Sequence, residues 1–221
     1  MSKLKNNSSQ GSFKLGLNSQ NGNVNRERYK VSSLNLYKKT KNTWIAMGEY
    51  QYGETFDEED TRQGSAHLRY TRVLSNLLQS EIYTQIQFNK FQKLNSRKLG
   101  GAGLRTTNSF FEEKLKTSFG LGAFYEDEEL EKQDDVNNPR GNIYAGVLIS
   151  SEYFNFSSTV YYQPNIEDTE DYRVNLNLGV ETQLGKTLFQ QISYSMVKDT
   201  RPPTRIAKTD GTFLVEVGAR Y

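Results

Sequence analysis

Apolar and polar residues alternate along most of this chain, in short stretches spaced roughly every 15 to 20 residues. Twelve such stretches can be read. The first, residues 12–18, sets Phe13, Leu15 and Leu17 against Lys14, Gly16 and Asn18. The third, 43–52, sets Trp44, Ala46, Gly48, Tyr50 and Tyr52 against Ile45, Met47, Glu49 and Gln51. The fourth, 64–73, places Ala66, Leu68 and Tyr70 opposite Ser65, His67, Arg69 and Thr71. In the fifth, Ile82, Thr84, Ile86 and Phe88 face away from Glu81, Tyr83, Gln85, Gln87 and Asn89. The seventh carries Leu115, Thr117, Phe119, Leu121, Ala123 and Tyr125 against Lys116, Ser118, Gly120 and Gly122. The eighth, ninth and eleventh repeat the pattern around Ile143, Val160 and Tyr194. The tenth alternates Tyr172, Val174, Leu176, Leu178 and Val180 with Arg173, Asn175, Asn177, Gly179 and Glu181. The twelfth sets Phe213, Val215, Val217, Ala219 and Tyr221 against Leu214, Glu216, Gly218 and Arg220. Two stretches are less regular. Residues 28–38 change parity between Val31 and Leu34, which predicts a bulge, and 97–107 is glycine-rich.

Alternation alone also suits a soluble sandwich. The connections favour another architecture: those at 39–42, 75–76, 108–114, 151–153 and 183–186 read as short. Most of the intervening ones, at 19–27, 53–63, 126–141, 163–171 and 198–211, read as longer. Short turns at one end and longer loops at the other are the signature of a transmembrane barrel, with its periplasmic and extracellular ends. The expected fold class is therefore all-β: one antiparallel transmembrane β-barrel of about twelve strands over residues 11–221, preceded by a flexible tail at 1–10.

Composition sharpens this reading. Hydrophobic residues are only 35% of the 221, yet aromatics reach 12%, with 14 Tyr and 12 Phe. Disordered chains lack such aromatics. A barrel in lipid needs apolar side chains on one face only, and so combines low hydrophobicity with many aromatics. No apolar run approaches the roughly 18 residues of a spanning helix. A closed barrel is then the only membrane solution, because every backbone polar group in hydrocarbon must be paired. Residues 1–10 contain no apolar segment of the export-signal type. The expectation is a bacterial outer-membrane protein whose signal has been removed and an initiator Met supplied. A net charge of +2 with both signs abundant argues against a nucleic-acid partner. With no cysteine there is neither a disulfide framework nor a thiolate metal site.

Several stretches resemble a known family. They are Asn21-Gly-Asn-Val-Asn, Trp44 with Tyr50-Gln-Tyr-Gly, and Leu68-Arg-Tyr-Thr-Arg-Val-Leu-Ser. Phe88-Asn-Lys-Phe-Gln-Lys-Leu-Asn-Ser-Arg and Gly100-Gly-Ala-Gly-Leu-Arg complete the set. Together they resemble the salt-induced outer-membrane proteins, a family catalogued as a domain of unknown function. The resemblance is tightest from about Asn18 to Arg105. It implies an exported outer-membrane barrel and no assigned reaction. The C-terminal alternation ending on Tyr221 looks like the strand that barrel-assembly machinery recognises. Expected partners are that machinery, outer-membrane lipids and lipopolysaccharide, with no cofactor and no metal.

Candidate chemistry is sparse. His67 is the one histidine. Outer-membrane lipid hydrolases pair a His with a Ser two residues later, where this chain has Arg69. Omptin-type proteases use an Asp-His pair, and no Asp adjoins His67. Glu49 with Glu81, or Glu181 with Glu216, are conceivable acid/base pairs. The simpler expectation is a lumen charge network of Lys14, Glu49, Arg69, Glu81, Arg105, Lys116, Arg173, Glu181, Glu216 and Arg220, because a barrel interior must satisfy its own polar groups. Eight strands leave a filled interior and sixteen or more a wide channel. Long inward side chains are thus expected to narrow or close a pore of about twelve. Trp44, Tyr50, Tyr52, Tyr70, Tyr125, Tyr162, Tyr172 and Tyr221 fall near predicted strand ends, the placement of aromatic girdles at the two lipid interfaces. Acids concentrate in the predicted long loops: Glu54 and Asp57 to Asp60, then Glu126 to Asp135, then Glu167 to Asp171. They are expected to be solvated loop charges, the alternative being divalent cations that bridge to lipopolysaccharide. Gly100-Gly-Ala-Gly lacks the lysine and hydroxyl of a phosphate loop and reads as a strand feature. The functional expectation is a non-enzymatic envelope protein or narrow channel for ions or small solutes. The alternatives are a plugged barrel that contacts lipopolysaccharide or a partner and, third, a membrane lipid hydrolase.

Overall fold

A computed structural model describes residues 7–20, 22 and 25–221. Twelve strands form, as the alternation predicts. They are β1 (Ser8–Gln20), β2 (Arg26–Lys39), β3 (Asn42–Thr55), β4 (Glu58–Val73), β5 (Gln79–Asn89), β6 (Leu94–Phe110), β7 (Leu115–Leu130), β8 (Val136–Ser150), β9 (Phe154–Pro164), β10 (Tyr172–Gln183), β11 (Leu188–Asp199) and β12 (Thr209–Arg220). Each pairs antiparallel with its neighbours in sequence, and β1 closes on β12 through pairs such as Phe13↔Ala219 and Leu15↔Val217. Closure leaves no sheet edge, which a barrel needs wherever water cannot reach the backbone.

Burial is inverted relative to a soluble protein. Leu15, Ile82, Leu121, Phe119 and Val217 are at least half exposed on the outside, while Glu81, Glu126, Arg140 and Glu216 are almost fully buried inside. A soluble sheet protein does the reverse. The apolar outer band is bounded by aromatics. Near the chain termini Tyr37, Trp44 and Tyr70 sit side by side on three strands, Trp44 and Tyr70 with ring centroids 4.6 Å apart. Tyr221 lies at the same end, its hydroxyl donating to Asn35 Oδ1 at 2.6 Å. At the opposite end Tyr29 pairs with Tyr52, Tyr50 lies 6.4 Å from Phe88, and Tyr162 lies 5.6 Å from Tyr172. Tyr125 occupies the same outward parity on β7 and is 57% exposed. The eight aromatics expected in girdles therefore divide into two sets, at the two ends of the apolar band.

Three expectations change. β1 begins at Ser8, ahead of the boundary at residue 11, because residues 8–10 pair with Lys38, Tyr37 and Leu36; residues 1–6 of the expected tail lie outside the described residues. β2 carries no bulge, since its pairing with both β1 and β3 runs without a register shift. Leu34 and Leu36 simply point inward there. The shifts fall instead at Gly53/Glu54, Gln87/Asn89 and Leu94/Ser96, all toward one end. Lastly, much of the predicted loop sequence is strand. Strands of 16 and 17 residues (β4, β7 and β6) exceed the roughly 9–11 that cross a bilayer. The predicted loop at 53–63 shrinks to Phe56 and Asp57, and that at 126–141 to residues 131–135. The longest remaining connection is 200–208.

Candidate functional site

The lumen is where this fold places its chemistry, because the strand pleat sends every second side chain inward. All ten residues expected in the charge network lie on lumen-facing positions, but their partners are more specific than the pattern implies. Lys14 Nζ donates to Glu216 Oε2 at 3.0 Å. Arg69 Nη1 lies 3.5 Å from Glu81 Oε2, and Tyr144 Oη donates to both Glu81 oxygens at 3.0–3.1 Å. Glu49 faces Lys30 at 3.2 Å. Glu181 pairs with Arg220 and accepts from Asn155 Nδ2 at 2.9 Å. Arg105 donates to Thr107 Oγ1 at 3.3 Å, and Lys116 occupies an inward position on β7 opposite Ser109. Each of the four carboxylates once conceivable as half of an acid/base pair is thus held by its own cation.

Arg173 belongs to a different cluster, which the sequence reading missed. Glu126 sits at its centre, 0% exposed, facing three guanidiniums. Arg97 Nε donates to it at 2.8 Å, Arg173 Nη1 at 2.9–3.0 Å, and Arg140 Nε completes the set. Arg173 also reaches Glu128 at 3.0 Å and Asp199 at 2.6 Å, while Arg140 Nη2 donates to Asp171 Oδ2 at 2.8 Å. The sequence pattern predicts Glu126, Glu128 and Asp171 as solvated loop acids, and the structure places them inside. They are buried because β7 runs past the apolar band with unbroken parity and Asp171 directly precedes β10, so these inward positions meet arginines of β6, β8 and β10. A signal existed: Glu126 and Glu128 continue the parity of Gly120, Gly122 and Phe124. The acidic run hid it, because outward positions beyond the lipid band no longer need to be apolar.

Mid-lumen is filled by side chains. Tyr83, Tyr144, Phe189 and Glu216 are nearly inaccessible. Arg69 lies 5.4 Å from the Tyr83 ring centre and 5.9 Å from that of Tyr144, and Arg220 lies 4.5 Å from that of Phe189, all within cation–π range. Two glycines make room for the rings. A Cβ at Gly120 would strike Tyr144, and one at Gly218 would strike Phe189. Here glycine is required by close approach rather than by backbone conformation.

Above this constriction, away from the termini, lies a cavity of about 520 Å³. Its wall is dominated by amides in a hydrogen-bonded track. Asn175 Nδ2 donates to Gln163 Oε1 at 3.2 Å, Gln163 Nε2 to Asn142 Oδ1 at 3.3 Å, and Asn142 Nδ2 to Tyr83 Oη at 3.0 Å. On the facing wall Asn89 donates to Gln63 at 2.6 Å, and Gln63 to Gln51 at 2.9 Å. His67 Nδ1 donates to Gln85 Oε1 at 3.0 Å, and its ring stacks 6.1 Å from that of Tyr83. Its partner is therefore an amide, neither a hydroxyl nor a carboxylate.

The mouth of the cavity is crossed by residues 200–208. They leave β11, six strands around the closed order from β5, and contribute Pro202, Pro203 and Ile206 to the cavity lining. Across the mouth, Lys93 Nζ donates to Thr204 O at 2.6 Å, and Thr204 Oγ1 to Gln133 Oε1 at 3.1 Å. Gln92 bonds Asp210 beside them. The strap is thereby fastened to the β5–β6 and β7–β8 connections.

A family model described as "Protein of unknown function, DUF481" matches residues 13–221. Among solved structures, the NanC porin aligns with a TM-score of 0.56 at 10% identity, over 96% of this chain and 98% of that one. The KdgM porin in complex with disordered oligogalacturonate aligns with a TM-score of 0.51 at 7% identity, over 96% and 98%. No curated protein matches the sequence. At such identities the likeness concerns the fold: a closed antiparallel barrel of the kind found in outer-membrane porins.

Proposed function

This chain belongs to the family of proteins of unknown function DUF481, and from that premise we propose that it is a non-enzymatic outer-membrane barrel passing small polar solutes through a narrow lumen. The observation that carries the reading is the polar cavity on the barrel axis, ending on a constriction of side chains rather than backbone. A constriction built from side chains such as Arg69, Glu81 and Tyr144 can open by rotamer change alone. A backbone plug would need a segment to move. The apolar outer band and its two aromatic borders support insertion among outer-membrane lipids, with lipopolysaccharide at the strap end.

Against an enzymatic role stands the setting of His67, whose Nδ1 and ring are engaged by an amide and an aromatic ring and by no carboxylate or hydroxyl among the described residues. A plugged structural barrel is the second reading. The strap over the mouth and the filled mid-lumen favour it.

Planar-bilayer recording separates the two. Purified full-length protein is expected to give small, discrete conductance steps. The double substitution Arg69→Ala with Glu81→Ala, which removes a neutral pair from the constriction and widens it, should enlarge them. A flat baseline from wild type and variant alike, with both proteins folded by heat-modifiable gel mobility, would end the channel reading in favour of the plugged barrel.

A further inference from the structure

The cavity wall carries more amides than groups of either charge. Resting on the channel reading above, we infer that the lumen selects uncharged, hydroxyl-rich solutes of small-saccharide size over anions and cations. The amide track from Asn175 through Gln163 to Asn142 ends on the hydroxyl of Tyr83 at the cavity floor. A carboxamide offers donors and an acceptor in one group, and a solute hydroxyl is likewise both donor and acceptor. Such a wall exchanges hydrogen bonds with a sugar at little net cost.

The charges point the same way. Below the mouth, the wall cations Lys30, Arg69, Arg97 and Arg173 each already face a carboxylate: Glu49, Glu81, Glu126 with Glu128, and Glu126 with Glu128 and Asp199. A passing anion would have to displace a carboxylate from its guanidinium, and a passing cation would have to displace the arginine. Removing one partner of a buried pair leaves the other uncompensated, so at Arg69, Arg97 and Arg173 each ion meets a barrier that a neutral solute does not. The floor adds aromatic faces. Tyr161 and Tyr83 line the cavity, with Tyr144 behind them and 5.2 Å from Tyr161 between ring centres. Rings of this kind pack against the apolar faces of a sugar, and the Tyr83 hydroxyl, which accepts from Asn142, keeps its own proton to donate. A volume of about 520 Å³ lies within the roughly 300–1,000 Å³ of small-molecule sites.

The test uses full-length protein in liposomes and compares osmotic swelling with glucose, glucuronate and glucosamine at equal osmolarity, in mildly acidic buffer that keeps the amine protonated. These probes share a ring and differ in charge. Glucose is expected to enter several-fold faster than either ion. Gln163→Glu, placing a carboxylate in the amide track, should slow glucuronate further and speed glucosamine. Gln85→Glu, on the facing wall, provides a second variant should the first fail to reach its heat-modifiable folded form. Entry of glucuronate or glucosamine at the rate of glucose, in liposomes that conduct, overturns the selectivity and leaves the channel standing. No entry of any probe together with no conductance overturns the channel reading, and the selectivity falls with it.

Discussion

Arg140 and Glu126 meet inside the barrel with 1% and 0% of their surfaces exposed, a charge pair sealed from solvent by the neighbouring Arg97 and Arg173. Buried pairs of this kind are weak sources of net stability but costly to break, because the remaining charge stays buried.

Glu126→Gln leaves three guanidiniums around a neutral amide and is expected to cost about 3–5 kcal/mol. Glu49→Gln, facing Lys30 from a half-exposed position, should cost under about 1 kcal/mol. Denaturant titration in detergent, followed by the gel shift between folded and unfolded forms, measures both. Equal losses would mean that the Glu126 cluster is solvated rather than sealed.

The outer face makes a prediction of opposite character. Ile82 and Leu121 are 60% and 58% exposed on the apolar outer face. In a soluble protein, replacing either by Arg would be nearly neutral. Across a bilayer midplane it should cost about 2–4 kcal/mol. Unfolding free energies in phospholipid vesicles decide between these values.

Trp44 is the one tryptophan of the chain, outward-facing and packed on Tyr70, whose hydroxyl donates to Asn42 Oδ1 at 2.8 Å. Its fluorescence should be quenched more strongly by lipids brominated near the headgroup than by those brominated near the chain end. The reverse order would move this row of aromatics away from the interface.

The strap rests on few exposed hydrogen bonds, Lys93 to Thr204 and Thr204 to Gln133 among them. Bonds of this type contribute on the order of 0.5–1.5 kcal/mol each. Lys93→Ala combined with Gln133→Ala should therefore free the strap without unfolding the barrel, and raise the open fraction in single-channel recordings. Unaltered gating would assign the resistance to the constriction at Arg69 and Glu81 alone.

Outside β2 and the glycine-rich β6, which residues face lipid and which face the lumen was legible from the alternation, as with Phe13 on β1 and Val217 on β12, because the period of two is a property of each strand by itself. The number of strands, and their closure into a barrel, followed from the same pattern joined to the absence of any helix-length apolar run. What the linear pattern does not contain is who meets whom across the lumen. Lys14 and Glu216 are 202 positions apart, Glu81 and Tyr144 are 63 apart, and Arg173 and Glu126 are 47 apart. Those meetings depend on the stagger between twelve strands, which accumulates around the ring and is set by every pairing at once. The burial of Glu126, Glu128 and Asp171, within runs of otherwise exposed or half-exposed acids, is hidden for the same reason. Once the chain leaves the lipid band, outward positions turn polar and the alternation vanishes, although the backbone ladder continues. Sequence determined the barrel and its two faces, where local periodicity meets the solvent on each side; only the tertiary structure decided the sealed arginine cluster, the constriction and the strap, where distant strands are brought into register.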